Sequence, residues 1–164
     1  MYPYEYKVSF RISHPRIHPD EISTQLGLQP QISWRAGDIR KTSRGIPIEG
    51  RNESTYWSYS INRQSDDSLI SLLEDFTVGL ESHKDFLVGL RLTGGRLEYF
   101  VGWFSGPSSG EVFEHSILNK IASLQIDLSL DIYTTSPEDA QKLVDYATSQ
   151  LLSELKQDPS SSRS

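Results

Sequence analysis

The chain has 164 residues, 36% hydrophobic and 23% charged, which fits one globular domain able to bury a core without staples. Its formal net charge of −6 argues against general affinity for phosphate backbones or anionic membranes. It has no cysteine, which excludes disulfides, thiolate catalysis and thiolate metal sites and fits a reducing cytoplasm.

Met1-Tyr2-Pro3-Tyr4 has neither a basic nor an apolar signal region, and no apolar run approaches a membrane span, so a cytoplasmic location is expected. Residues 6–13 alternate: Tyr6, Val8, Phe10 and Ile12 against Lys7, Ser9, Arg11 and Ser13, a strand with one buried face. His18-Pro19-Asp20-Glu21 opens a short helix with Ile22 and Leu26 inward, ended by Gly27. Residues 31–35 form a short strand. Residues 36–53, rich in Gly, Arg and Lys and without a period, are expected to be a loop, and 54–61 a further strand.

Residues 66–76 and 81–92 carry helical stripes: Leu69, Ile70, Leu72, Leu73 and Phe76, then Phe86, Leu87 and Leu90. Residues 96–104 are aromatic and strand-like. Residues 106–110 are a turn-rich loop, and 114–124 a helix with Ile117, Leu118, Ile121 and Leu124 inward. Residues 126–133 alternate again: Ile126, Leu128, Leu130 and Ile132 inward against Asp127, Ser129, Asp131 and Tyr133. Ser136-Pro137-Glu138-Asp139 starts a helix over 137–156, and 158–164 is expected to be a disordered tail.

The order begins β-α-β-β-α-β, the ferredoxin-like succession, extended by an α-β unit and a C-terminal helix. Strands buried on both faces would be continuously apolar; the alternation here predicts a two-layer α+β sandwich, residues 1–157, with helices on one sheet face. The other face would display Lys7, Arg11, Tyr56, Phe100, Phe104 and Tyr133, with Lys7 and Arg11 paired to Asp127 and Asp131 if those strands are neighbours.

The succession Tyr6-Lys7-Val8-Ser9-Phe10-Arg11-Ile12, His14-Pro15, Pro19-Asp20-Glu21-Ile22, Leu26-Gly27-Leu28-Gln29-Pro30, Ser33-Trp34-Arg35-Ala36-Gly37-Asp38, Tyr56-Trp57-Ser58 and Leu128-Ser129-Leu130-Asp131-Ile132-Tyr133 resembles a mostly bacterial family of domains of unknown function, numbered forty-two seventy-nine. Residues 4–134 carry the resemblance, and Trp-Arg-Ala-Gly-Asp is its most specific part. It implies a shared fold and brings no established activity or catalytic residues.

Gly106-Pro107-Ser108-Ser109-Gly110 fits the G-x-S-x-G nucleophile elbow, but no histidine follows His115 to complete a triad in that fold's order. His14, His18 and Asp20 offer metal-ligating types, but Pro15 and Pro19 break the helical spacing a shared ion needs. No phosphate-binding glycine motif or H-E-x-x-H helix occurs, so no catalytic residue, metal or cofactor is assigned. The best functional segment is 34–51, where Trp34, Arg35, Asp38, Arg40, Lys41, Arg44 and Arg51 make a locally basic, aromatic surface in an acidic chain.

The leading expectation is a non-catalytic protein-binding or accessory (immunity-type) module. A small-molecule sensor or unrecognised enzyme using Trp34, Arg35 and Asp38 is the alternative, and RNA or single-stranded nucleic-acid binding on the open sheet face the weaker one. The expected partner is another protein; the sequence leaves a homodimer open.

Overall fold

A computed structural model describes residues 4–62, 68–105 and 109–134. The expected helix at 137–156, the tail and most of the 106–110 loop lie outside the described residues. Two compact units are present: Tyr6–Trp103 with Glu111–Asp131, and a second whose described residues are 4–5, 104–105, 109–110 and 132–134. In the second, the rings of Phe104 and Tyr133 stack with centroids 4.8 Å apart.

The fold is mixed α+β. In chain order the elements are β1 (Tyr4–His14), α1 (Pro19–Leu26), β2 (Ile32–Trp34), β3 (Ile39–Lys41), β4 (Pro47–Arg51), β5 (Thr55–Ile61), α2 (Leu69–Leu80), a 3-10 turn (Glu81–His83), α3 (Lys84–Leu92), β6 (Arg96–Ser105), α4 (His115–Ser123) and β7 (Asp127–Thr134). Five strands form one sheet in the order β2-β5-β1-β6-β7, and β3 and β4 form a separate two-stranded sheet. No helix among the described residues is long and apolar enough to cross a membrane.

The period-2 pattern of β1 is realised. Tyr6, Val8, Phe10 and Ile12 are buried, Lys7 is exposed, and Ser9, Arg11 and Ser13 are half-buried. Antiparallel pairing sets Phe10 beside Tyr59 and Ile12 beside Trp57, so one face of β1 and β5 is aromatic. Phe10 meets Trp57, Phe76 and Tyr99 at centroid distances of 6.2, 5.8 and 5.5 Å. Each such pair adds about 0.5–1.5 kcal/mol beyond area burial.

Two helices cover this face. Phe76 brings α2 onto Phe10 and Tyr59, and Ser23 of α1 accepts a hydrogen bond from Trp57 Nε1 at 2.9 Å. The helix starts follow their caps. His18 Nδ1 accepts from the Asp20 amide ahead of Pro19, and Ser68 Oγ accepts from the Ser71 amide. The second cap begins α2 at Leu69; the expected start at 66 lies outside the described residues. Buried polar groups are satisfied: Tyr99 OH meets Thr77 Oγ1 at 2.9 Å, and Thr77 Oγ1 donates to Leu73 O. Burial pushes the Tyr99 phenol well above its ordinary value, against the pull of the Thr77 hydrogen bond.

Four expectations are corrected. Residues 36–53 are not an aperiodic loop but hold β3 and β4. Leu118 and Leu130 are exposed rather than inward, as is Ile132 of the second unit. Ser58, opposite Arg11, is buried, so the less covered face is not uniformly wet. Finally, β6 lies between β1 and β7, which are therefore not neighbours. Asp127 instead meets Arg91 at 2.6 Å and Arg96 at 3.8 Å, while the Arg11 guanidinium lies 3.5 Å from the Phe100 ring centroid.

Candidate functional site

Residues 31–53 are exposed almost throughout. β2 stands at one end of the sheet, with β5 its only neighbour among the described residues, and all three of its residues are exposed. Ile32 pairs with Ser58 and Trp34 with Tyr56, which sets both on the sheet face that carries Arg11. The Trp34 ring stacks on Tyr56 with centroids 4.5 Å apart and planes 22° apart. One side of the indole is thus used and 42% of the residue stays exposed.

The β3–β4 hairpin turns at Thr42-Ser43-Arg44-Gly45. The Gly45 amide donates to Thr42 O at 2.9 Å, Thr42 N–H to Ile46 O at 2.8 Å, and Ile46 N–H to Thr42 Oγ1 at 3.1 Å. Gly45 has φ +80°, the left-handed conformation that closes a type I turn into a bulged hairpin.

The hairpin's root joins the backbone of residues 35–38 to backbone and side-chain groups of Arg51, Asn52 and Thr55. Gly37 N–H donates to Asn52 O at 2.8 Å and Asn52 N–H to Asp38 O at 2.9 Å. Asn52 Nδ2 donates to Arg35 O at 3.2 Å, and Arg51 Nη1 to Gly37 O at 2.6 Å. Ala36 N–H donates to Thr55 Oγ1 at 3.1 Å, and that hydroxyl donates to Ile17 O at 2.7 Å. Gly37 sits at φ +85°, where an L side chain is strained.

A cleft of about 920 Å3 separates β2 from this hairpin. Its walls include Ile32, Ser33 and Trp34 on one side and Asp38, Ile39, Lys41 and Arg51 on the other.

The family model described as Domain of unknown function (DUF4279) matches residues 4–135. The chain belongs to this family. No curated protein and no solved structure matches it. In this DUF4279 chain the Trp-Arg-Ala-Gly-Asp motif has a physical role: it is the root just described. Trp34 stacks against β5, and the backbone of residues 35–38 takes up Asn52, Arg51 and Thr55.

Of the residues singled out from sequence, Trp34, Asp38, Lys41 and Arg51 come together at the cleft; Arg35, Arg40 and Arg44 are not among its lining residues. Arg40 instead lies along Gly50. Among the described residues no ion pair or side-chain hydrogen bond engages Arg35, Asp38, Arg40, Lys41 or Arg44. Sequence reasoning missed Ile32, Ile39, Ile46 and Ile48, all exposed here. The signal was present as Ile39-Arg40-Lys41 and Ile46-Pro47-Ile48 flanking Ser43-Arg44-Gly45.

The histidines serve local structure. His14 is buried; its Nδ1 accepts from the amides of Arg16 and Ile17, both at 3.0 Å, and its Nε2 meets Thr93 Oγ1 at 2.9 Å. Burial, with Arg16 nearby, lowers its pKa, and Glu21 partly opposes this. Nδ1 of His18 is occupied as the α1 cap. A smaller cavity of about 410 Å3 borders His14, Arg16, Glu21 and Phe86.

Proposed function

We propose that this chain is a non-catalytic, intracellular protein-binding module of accessory type whose contact surface is the cleft between β2 and the β3–β4 hairpin. One observation carries the reading. Ile32, Trp34, Ile39, Ile46 and Ile48 are 55, 42, 52, 58 and 40% exposed, five of the thirteen exposed large hydrophobic residues described, all within one 17-residue stretch. Scattered apolar side chains need no explanation, but Ile32, Trp34 and Ile39 line the cleft and Ile46 and Ile48 lie on the hairpin that forms its other wall; apolar side chains gathered at a concave surface are characteristic of an interaction site. A rigid scaffold holding an exposed loop arm is also how binding surfaces are commonly presented. The strand order β2-β5-β1-β6 supports a ferredoxin-like, two-layer reading of that scaffold, with β7 added beyond β6.

A photo-cross-linking residue at Ile46 tests the reading in cells, against one at Lys84 on α3. The expected result is a discrete adduct from position 46, absent from position 84 and lost when Trp34→Ala is added. Silence at position 46, or the same adducts from both positions, overturns it. The cleft's volume of about 920 Å3 favours a small-molecule ligand as the second reading, since such pockets span roughly 300–1,000 Å3. Saturable stabilisation by a small metabolite that also blocks the cross-link would establish that alternative.

A further inference from the structure

Resting on the protein-binding reading, we infer that the occupant of the cleft is an extended, acidic segment of a partner, which adds to the open edge of β2 as a further strand. The two ends of the five-stranded sheet are unlike. An open strand edge presents unpaired backbone donors and acceptors, and proteins usually guard it with charge, proline, a bulge or a very short strand; β2, three residues long, has only the last of these. β7, at one end, carries Asp127 and Asp131. β2, at the other, reads Ile32-Ser33-Trp34, without charge or proline, and every residue is exposed. An uncharged open edge beside a groove is the geometry of strand addition, where main-chain hydrogen bonds supply affinity and alternate side chains supply specificity. A five-residue strand about 17 Å long would lie along it, with Ile32, Trp34 and Ile39 available to its apolar side chains.

The charge of the occupant follows from the hairpin. Residues 35–53 hold five cations (Arg35, Arg40, Lys41, Arg44, Arg51) against three acids (Asp38, Glu49, Glu53), a net +2 in a chain of −6, so the rest carries −8. Four of these cations have no ionic or side-chain hydrogen-bonding partner among the described residues. Lys41 and Arg51 line the cleft against Asp38, and Arg44 sits between the lining residues Ser43 and Gly45, so the cleft carries a net positive charge in an acidic molecule, and complementarity selects an acidic strand and steers its approach.

The test titrates the full chain with four labelled probes by fluorescence anisotropy: an acetylated, amidated Glu-Val-Glu-Val-Glu-Val-Glu peptide, its Lys-for-Glu counterpart, the acidic peptide N-methylated at alternate residues, and an oligothymidylate. The acidic peptide is expected to bind, to weaken with salt, and to weaken about two- to thirtyfold with the Lys41→Glu/Arg44→Glu double variant, the span for two exposed ion pairs. The Lys peptide and the N-methylated peptide are expected to bind at least tenfold more weakly. Equal binding of the Lys or N-methylated peptide, tighter binding of the oligothymidylate, or self-association that shields Ile46 overturns the inference. If no peptide binds while the cross-linker at position 46 still captures a partner, strand addition fails and the protein-binding reading stands. If both are silent, both fail.

Discussion

Replacing Gly37 by Ala isolates the hairpin root. A Cβ at Gly37 would meet nothing within 4 Å, so the substitution introduces no clash, and its cost is confined to the backbone at φ +85°. Holding an L residue in the left-handed region costs about 1–2 kcal/mol. The bonds sharing that cost are Gly37 N–H to Asn52 O, Asn52 N–H to Asp38 O and Arg51 Nη1 to Gly37 O. A two-stranded hairpin has little stability of its own, so its reserve against opening is small compared with that of the core. Amide exchange at Gly37, Thr42 and Asn52 is expected to accelerate about 5- to 30-fold and to approach unprotected rates. Core amides such as Phe10 and Tyr99 lose no more than the same factor and stay strongly protected. Gly37→Asn should retain more protection than Gly37→Ala, because Asn tolerates the left-handed region better. Unchanged exchange in Gly37→Ala, or Asn faring no better than Ala, would refute the reasoning.

His14 makes stability pH-dependent. Its folded pKa lies below the ordinary 6.5, so the unfolded chain takes up the proton first. The contribution is complete above 6.5 and is lost progressively as pH falls below it; urea unfolding between pH 7.5 and 5 should show a steeper decline for wild type than for His14→Gln. Thr77→Val leaves the buried Tyr99 hydroxyl without its partner and should cost about 1–3 kcal/mol, while adding Tyr99→Phe restores most of the loss; equal stability of the single and double variants contradicts this. Leu73→Ala, at a fully buried position, should cost about 2–5 kcal/mol in the same assay.

Most of the main sheet and its helices were legible because burial writes a period into sequence. Val8, Phe10 and Ile12 alternate with polar residues, and Leu69, Leu72 and Leu73 recur at helical spacing. β3 and β4 were not, because every residue in them is exposed and no face is selected for burial. Their shape rests on the Gly45 turn and the Gly37 root, signals of turn chemistry rather than hydrophobicity. The same cause hid half of the candidate site: Arg and Trp drew notice by residue type, whereas Ile39, Ile46 and Ile48 looked like scattered loop apolars. Positions within β7 and α4 misled in the other direction. Leu118, Leu130 and Ile132 keep the inward phase, yet the described structure leaves them exposed.

The hydroxyl of Thr55 belongs to two loops at once. It receives the amide of Ala36 at the foot of the arm and gives its own proton to the carbonyl of Ile17, in the segment whose amides His14 gathers. Protonated at both ring nitrogens, His14 would no longer accept from the amides of Arg16 and Ile17, and Ile17 is the residue whose carbonyl the Thr55 hydroxyl holds.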